Sequence, residues 1–233
     1  MNTTLPLLVA IVILAAPHSF AGEDPGPVKV EISRTEDGYQ LLRGGKPYRI
    51  KGAGMAVDRV AAFAKHGGNS IRNWTTGDEP QNIQAFLDEA HDNGVTVMLC
   101  LPMQAERWGF DYDNTAAVGE QFASFREKVI KYRDHPALLL WGVGNEVEGF
   151  GSGDDPAIWK ALNDIAAMVK ELDPNHPTMV VTSEAGGGRI ASLHKNSPAI
   201  DIHGINTYGG APSLVERLRK AGATKPFVIT EFG

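Results

Sequence analysis

The chain repeats one unit, in which hydrophobic residues at helical spacing are followed by a turn and then by a short apolar run. The spacing predicts helices over residues 57–65, 83–91, 118–132, 158–172 and 214–221, with a weakly helical connection over 186–197. The apolar runs predict strands over 48–52, 70–73, 95–101, 137–143, 179–182, 202–206 and 227–230. Because each run is apolar enough to be covered on both faces, we expect a parallel sheet built of right-handed crossovers.

Two alternating segments, 28–33 and 39–42, precede the repeated unit. They flank the turn Glu36-Asp37-Gly38, and a second turn, Gly44-Gly45-Lys46-Pro47, leads into the first apolar run. This pattern is typical of a β-hairpin. We therefore divide the chain after the first 21 residues into a leader and short N-terminal hairpin over 22–47 and an α/β domain over 48–233.

The first 21 residues have the pattern of a secretory signal peptide. An apolar run over 5–16 is followed by Ser19-Phe20-Ala21, which places small residues at the −3 and −1 positions of a cleavage site before Gly22. The run is too short to span a bilayer comfortably. We expect a secreted or periplasmic protein with no membrane association after cleavage. The alternative is an uncleaved anchor, because the first four residues include no lysine or arginine.

The composition of the chain excludes some classes of binding partner. With 42% hydrophobic and 21% charged residues the chain is globular, and its net charge of −6 argues against binding to nucleic acid. Cys100 is the single cysteine, so neither an internal disulfide nor a cysteine-rich metal site is possible. No histidine spacing of a known metal motif occurs, and we expect neither a metal nor a cofactor.

Two architectures fit alternating strands and helices, an open doubly wound sheet and a (β/α)₈ barrel. The open sheet predicts a glycine-rich phosphate turn after the first strand, whereas the barrel predicts polar residues at the carboxyl ends of many strands. The first strand is followed by Gly52-Ala53-Gly54, without a third glycine. Several later strands end in polar residues, which favours the barrel; these ends are Arg72-Asn73-Trp74, Gly144-Asn145-Glu146, Ser183-Glu184, Asn206-Thr207-Tyr208 and Thr230-Glu231.

A pair of carboxylates at one end of a barrel suits the cleavage of glycosidic bonds. One carboxyl group must protonate the leaving oxygen, while a second must stay ionised opposite the anomeric carbon, which becomes cationic. Glu146 and Glu231 follow different predicted strands and are placed for these two tasks.

These motifs resemble the catalytic barrel of the clan A glycoside hydrolases over about residues 48–233. Gly144-Asn145-Glu146 and Glu231-Phe232-Gly233 carry the resemblance. Three other segments look most like family 2, which contains β-galactosidases, β-glucuronidases and β-mannosidases; these are Gly68-Asn69-Ser70-Ile71-Arg72, Ile205-Asn206-Thr207-Tyr208-Gly209 and Asp173-Pro174-Asn175-His176-Pro177. Family 5 and the fungal-type β-1,3-glucanosyltransferases share the Asn-Glu pair and the final glutamate.

The resemblance implies a retaining double displacement on a β-linked oligosaccharide or polysaccharide. Glu231 would be the nucleophile, and Glu146 the general acid and then the general base. Arg72 would hold Glu231 ionised, Tyr208 would donate a hydrogen bond to the same carboxylate, and Asn145 would bond the sugar 2-hydroxyl.

Three further residues are candidate substrate contacts. Asn206 is carried over from the family as a contact or as a support for its neighbours. Trp74 and Trp108 lie in loops after two of the predicted strands, where an indole face can pack against a sugar. Packing within their own loops is the alternative for both tryptophans.

The resemblance also implies an eighth strand, whereas seven are predicted up to Gly233. We therefore expect a barrel truncated after strand seven and a sequence that is an incomplete version of a longer protein. Three functions stay open. The first is a secreted retaining β-glycosidase, or a glucanosyltransferase-type transglycosylase if a sugar outcompetes water; the second is a non-catalytic carbohydrate-binding barrel. The third, an unrelated barrel enzyme such as an aldolase, is disfavoured because no strand ends in a Schiff-base lysine.

Overall fold

A computed structural model describes residues 26–36, 38–56, 58–74 and 82–233. The predicted signal peptide over 1–21 and the first part of the leader lie outside these residues, as do position 37 of the predicted hairpin turn and position 57 of the first predicted helix. Within the described ranges, no helix is both long enough and apolar enough to cross a membrane.

The described chain contains ten strands and six α-helices, and the helices alternate with the last seven strands. The strands are β1 (Val30–Thr35), β2 (Gly38–Arg43), β3 (Lys46–Pro47), β4 (Gly52–Gly54), β5 (Ser70–Arg72), β6 (Thr96–Leu101), β7 (Leu138–Asn145), β8 (Thr178–Thr182), β9 (Ile202–Thr207) and β10 (Phe227–Phe232). The helices are α1 (Val60–Lys65), α2 (Ile83–Asp92), α3 (Thr115–Tyr132), α4 (Pro156–Leu172), α5 (Arg189–Asn196) and α6 (Leu214–Lys220).

Strands β4 to β10 form one parallel sheet in which each strand pairs with its neighbours in sequence. The seven strands curve into a nearly closed barrel with helices in the connections, and a separate antiparallel sheet of β1, β2 and β3 precedes it. The predicted barrel of seven strands with an N-terminal hairpin is confirmed. The hairpin register pairs Thr35 with Gly38 and Val30 with Arg43.

The first parallel strand was predicted over 48–52, and this boundary is wrong. The ladder to β5 begins only at Gly52, which pairs with Ser70. Before that point the side chain of Asn69 takes the place of a strand, because its amide accepts from the Lys51 N–H at 2.7 Å and donates to the Arg49 carbonyl at 3.0 Å. A side chain that satisfies the backbone in this way leaves no periodic signal in the sequence.

The helices cover the outer face of the sheet through one large cluster of buried residues. Leu87 on α2, Val129 on α3 and Leu162 on α4 are fully buried in it together with Leu99 and Val143 of the strands. The connection over 186–197, which reads as weakly helical, contains the regular helix α5, whose Ile190 and Leu193 are buried. Tertiary burial here outweighs a weak local pattern.

The hairpin sheet closes the amino end of the barrel. Three hydrogen bonds attach it to the residues before β7, β8 and β10: Arg43 to the Pro136 carbonyl, the Val30 N–H to the Asn175 carbonyl, and the Tyr39 hydroxyl to the Thr224 carbonyl. Val30 also packs in a cluster with strand residues that include Met98, Leu140 and Met179. The hairpin thus lies at the amino ends of the strands, and the carboxyl ends are left to carry a site.

Candidate active site

Seven of the eight predicted site residues meet in one hydrogen-bonded group at the carboxyl ends of the strands. Arg72 ends β5 and Asn145 ends β7, with Glu146 next in the chain; Asn206 lies in β9, Tyr208 directly after it, and Glu231 in β10. Trp74 follows β5 by two residues and joins the group through its indole N–H. Parallel strands bring residues far apart in the chain to one edge of the sheet.

The Glu231 carboxylate receives three hydrogen bonds. Arg72 Nη1 donates to Oε1 at 2.7 Å, Trp74 Nε1 donates to Oε1 at 3.2 Å, and the Tyr208 hydroxyl donates to Oε2 at 2.6 Å. The side chains of Arg72 and Glu231 are 7% and 22% exposed, so their ion pair is partly shielded from water. Each carboxylate oxygen has more than one lone pair, and the group therefore keeps capacity for a further contact.

These contacts set the protonation of Glu231. Burial raises the pKa of the carboxyl group, but the hydrogen bonds from Arg72 and Tyr208, the charge of Arg72 and the Trp74 N–H outweigh it and hold the pKa below its ordinary value. The same hydrogen bond raises the pKa of Tyr208, because ionising the phenol would remove a donor from a negative neighbour. Glu231 is therefore an anion with a neutral tyrosine beside it.

The second candidate carboxylate is linked to the first through two amides. Asn206 Nδ2 donates to Glu146 Oε1 at 2.8 Å and to Asn145 Oδ1 at 3.3 Å. Asn145 Oδ1 also accepts from Arg72 Nη2, and Arg72 reaches Glu231. Glu146 and Glu231 thus lie at the two ends of a continuous chain of contacts.

An irregular end of β7 lets adjacent residues share this site. In a regular strand Asn145 and Glu146 would point to opposite faces. The ladder to β8 instead shifts register between Val143 and Asn145, and Gly144 and Glu146 have φ of 70° and 50°. Gly144 is required there because a Cβ would lie 2.5 Å from a methyl carbon of Val147.

A second irregularity, in β10, also brings two adjacent residues into the site. The register to β9 shifts between Ile229 and Glu231, so that Thr230 and Glu231 both contact residues of the site. The Thr230 hydroxyl donates to Asn206 Oδ1 at 2.7 Å. This bond orients the amide of Asn206 with its N–H group toward Glu146.

Two cavities adjoin the candidate site, and the first of them reaches the Glu231 carboxylate. One of about 570 Å³ lies beside Glu231, Arg72, Trp74 and Tyr208 and extends along the barrel interior to Met179. Its volume is in the range of small-molecule sites. The other, of about 280 Å³, is lined by Asn145, Trp74, Arg107 and Trp108 among others. Trp108, the eighth predicted residue, makes no hydrogen bond to either carboxylate among the described residues and adjoins the site only through this second cavity.

A buried ion pair holds the loop after β7. Arg189 Nε donates to Glu148 Oε1 at 2.9 Å, and both side chains are at most 5% exposed. Arg189 also donates to the carbonyls of Gly149, Gly151 and Gly186. Because the pair is well bonded in a nearly dry environment, it fixes the segment that begins at Glu146.

Other residues singled out by the sequence have structural contacts. In the segment Asp173-Pro174-Asn175-His176-Pro177, the Asp173 carboxylate accepts from buried Trp141 at 2.7 Å and contacts His176 at 2.8 Å. Buried His203 contacts the Thr182 hydroxyl at 2.8 Å, and burial lowers its pKa to about 4. In the described part of the chain, no group of three or more histidine, cysteine, aspartate or glutamate side chains could hold a metal ion.

From the sequence no site role is assigned to Thr230, Arg107 or the Glu148–Arg189 pair, although Thr230 is named at a strand end. Thr230 precedes a candidate carboxylate in a strand, where alternation would turn it away. Arg107 donates through Nη1 to the main-chain carbonyl of Glu146 from a short 3₁₀ helix, Glu106–Trp108. Its place next to Trp108 was the one available signal, while nothing in the sequence connects Glu148 with Arg189.

The chain was compared with known proteins. A probable mannan endo-1,4-beta-mannosidase F from Neosartorya fischeri is 36% identical over 100 residues, which are 43% of this chain and 20% of that protein. The chain thus spans about a fifth of this curated relative, whose length extends well beyond the matched segment.

Solved structures share the fold. A β-D-glucuronidase from Dictyoglomus thermophilum aligns with a TM-score of 0.64 at 20% identity, covering 88% of this chain and 39% of that one. A β-mannanase from the blue mussel Mytilus edulis aligns with a TM-score of 0.64 at 15% identity, covering 88% of this chain and 82% of that one.

The resemblance to the clan A glycoside hydrolases is confirmed, and it can be made more specific. The sequence motifs looked most like family 2, with family 5 as a second match, and solved structures of β-glucuronidases and β-mannanases both align with this barrel. The family model that matches residues 48–233 is that of the cellulases, and the chain therefore belongs to glycosyl hydrolase family 5.

Proposed function

We propose that this chain is a retaining glycoside hydrolase that cleaves β-linked polysaccharide, with Glu231 as nucleophile and Glu146 as general acid and base. One observation carries the proposal. Two carboxylates from β10 and the end of β7 lie in a single hydrogen-bonded group, and donors hold one of them ionised. This division of labour is what glycoside hydrolysis requires of two carboxyl groups.

In the first step a Glu231 oxygen attacks the anomeric carbon of the bound sugar. The bond from that carbon to the leaving oxygen breaks, and its electron pair goes to the oxygen, which takes a proton from Glu146. The product is a glycosyl ester on Glu231. Arg72 and Tyr208 fix the orientation of the attacking carboxylate throughout.

In the second step water attacks the same carbon from the side that the leaving group vacated. Glu146 takes a proton from the water, and the bond to Glu231 breaks with its electron pair returning to the carboxylate. In the described chain, Asn206 contacts only Oε1 of Glu146, which leaves Oε2 available for both proton transfers.

Asn145 is placed to bind the sugar hydroxyl next to the reacting carbon. Its Oδ1 is occupied by Arg72 and Asn206, so the amide is oriented with Nδ2 free to donate; no described residue accepts from it. A hydrogen bond to the 2-hydroxyl that strengthens in the transition state supplies part of the rate enhancement in such enzymes. Trp74 and Trp108 both line the cavity beside Asn145, where an aromatic ring can pack against a sugar.

We expect the acidic limb of the pH profile to depend on Tyr208. The Tyr208→Phe variant loses one donor that lowers the pKa of Glu231, so that the pKa rises and the acidic limb of kcat/KM moves to higher pH. Arg72 is a second donor to Glu231, and the Arg72→Lys variant is expected to raise the pKa of Glu231 and to move the acidic limb to higher pH as well. The measurement is kcat/KM across the acidic range.

Tyr39→Phe is the matched control, because its hydroxyl bonds the Thr224 carbonyl at the opposite end of the barrel. An acidic limb that stays in place in Tyr208→Phe, or that moves to lower pH, contradicts the assignment of Glu231.

The relatives suggest β-1,4-mannan as the substrate class, since mannan endo-1,4-beta-mannosidases recur among the curated matches. The test is release of reducing ends from mannan, cellulose, xylan and β-1,3-glucan, with Glu231→Gln as the blank. Mannan is expected to be cleaved fastest. Turnover of none of them by the wild-type chain contradicts the proposal and favours a carbohydrate-binding barrel.

Because such polysaccharides lie outside the cell, we also propose that the protein is exported through the predicted signal peptide.

A further inference from the structure

Tyr208 donates to the candidate nucleophile although its own ring is poorly packed. The side chain is 65% exposed, yet its hydroxyl lies 2.6 Å from Glu231 Oε2. Holding an exposed side chain in one geometry costs conformational entropy, which contacts of the ring do little to offset here. The hydrogen bond to Glu231 therefore depends on how firmly the main chain around residue 208 is held.

An ion pair links the loop after β8 to helix α6 next to this segment. Arg217 Nη1 lies 3.1 Å from Glu184 Oε2, and Nη2 donates to Oε1 at 3.3 Å, so the guanidinium faces both carboxylate oxygens. This arrangement fixes the orientation of both groups. The two side chains are 31% and 34% exposed, and an isolated pair at that exposure adds little to stability. Its other contacts indicate a different role.

The pair binds the chain on both sides of Tyr208. Glu184 Oε2 accepts from the hydroxyl of Thr207, the residue directly before Tyr208, at 3.3 Å. Arg217 Nη2 donates to the carbonyl of Gly210, two residues after Tyr208, at 3.0 Å. The main chain that carries the tyrosine is thus attached at both ends to one pair of charged side chains.

Gly210 allows the loop to approach the pair this closely. A Cβ at this position would lie 2.5 Å from Thr207 Oγ1, 2.6 Å from Arg217 Nη2 and 2.7 Å from Glu184 Oε2. Any residue larger than glycine would displace these atoms. Glu184 is itself fixed, because its main-chain carbonyl accepts from the Thr182 hydroxyl of β8 at 2.9 Å.

From these contacts we propose that Glu184 and Arg217 are positioning residues that hold the Tyr208 hydroxyl on the Glu231 carboxylate. The proposal rests on the proposed function, because it assumes that Glu231 is the nucleophile that Tyr208 orients. In the described part of the chain, neither residue of the pair bonds to Glu231. The groups that do face Glu231 come from β5, the loop after it and the loop after β9; they are Arg72, Trp74 and Tyr208.

Two variants separate position from charge. Removing Glu184 removes a negative charge, which by itself would lower the pKa of Glu231, whereas loss of the hydrogen bond from Tyr208 raises that pKa. We expect Glu184→Ala and Arg217→Met both to move the acidic limb of kcat/KM to higher pH, the direction expected for Tyr208→Phe. At neutral pH kcat/KM should fall by about three- to tenfold.

A combined variant distinguishes positioning from a general loosening of the fold. In Tyr208→Phe/Arg217→Met there is no hydroxyl to position, so its acidic limb should coincide with that of Tyr208→Phe. The matched control is Glu216→Ala, which breaks an exposed ion pair with Lys220 on the same helix and should behave as the wild type.

Carbon NMR tests the positioning without turnover, using tyrosine labelled at the phenol carbon. The signal of Tyr208 is assigned by its absence from Tyr208→Phe, and Glu231→Gln gives its position when no anion accepts the hydroxyl. At neutral pH we expect the signal to move toward that reference in both Glu184→Ala and Arg217→Met, and to stay at the wild-type position in Glu216→Ala.

The positioning role is overturned if the Tyr208 signal and the acidic limb stay at their wild-type positions in both variants. It is also overturned if the limb of Glu184→Ala moves to lower pH, or if Arg217→Met moves the limb further in the Tyr208→Phe background. These results leave the hydrolase assignment intact. A wild-type chain that cleaves no β-linked substrate contradicts the proposed function, whereas the NMR comparison still shows whether the pair holds the hydroxyl.

Discussion

Replacing Glu231 by glutamine is expected to lower kcat for a β-linked oligosaccharide by about 10⁴-fold or more. The variant keeps the size of the side chain and a carbonyl oxygen for Arg72, but it removes the negative oxygen that forms the bond to the anomeric carbon. Steady-state kinetics with the oligosaccharide measure the loss. Because the variant leaves the buried Arg72 guanidinium without its ionic partner, we expect its midpoint of thermal unfolding to fall moderately, and circular dichroism at the assay temperature shows that it is still folded.

Glu171→Gln is the matched control for this experiment, because Glu171 is an exposed glutamate on α4 far in sequence from the carboxylates. We expect it to retain wild-type activity. A Glu231→Gln variant that retains more than about a hundredth of the wild-type kcat would contradict the role of nucleophile.

Replacing Glu146 by glutamine is expected to have an effect that depends on the leaving group. General acid help is worth about 10²–10⁴-fold, and a sugar alkoxide needs it because the alkoxide is a strong base. A dinitrophenolate leaves without a proton. We therefore expect kcat/KM to fall by about 10²–10⁴-fold for the oligosaccharide and only slightly for the dinitrophenyl glycoside of the same sugar.

The exposed Glu120→Gln variant on α3 serves as control and should match the wild type on both substrates. If kcat/KM falls by the same factor for both substrates, Glu146 is not the proton donor in bond cleavage, however large that fall is.

The barrel could be predicted because several of its strands and helices are long and have a clear hydrophobic pattern. The helix α4, for example, has buried residues at helical spacing from Ile158 to Val169, and β6 is buried at every position. These patterns reflect the burial of apolar side chains, and the hydrophobic effect that drives this burial is the dominant favourable term in folding. Where a side chain replaces a strand, as Asn69 does beside Arg49 and Lys51, the pattern says nothing and the predicted boundary is wrong.

The site could be predicted only in part, for a geometric reason. Motifs identify which residues end neighbouring strands, and these were Arg72, Asn145, Glu146, Asn206 and Glu231. The register shifts in β7 and β10 that turn adjacent residues into the same site depend on pairing between strands. Thr230 therefore gave no sign of its bond to Asn206.

Contacts between loops could not be predicted from the sequence either. Arg107 and Phe150 lie in different loops, and neither has a periodic pattern that predicts their approach. Loops carry the residues that distinguish one substrate from another, and their positions follow from the scaffold rather than from local sequence.

In the proposed reaction the sugar is transferred to Glu231 and then to water, so the configuration at the anomeric carbon is retained. Proton NMR in deuterium oxide distinguishes retention from inversion, because the two anomers of the released reducing end have separate signals. During the first minutes of hydrolysis of a β-linked oligosaccharide, we expect the β-anomer to accumulate first and the α-anomer to follow by mutarotation. Initial accumulation of the α-anomer would show a single displacement by water and would exclude Glu231 as the nucleophile.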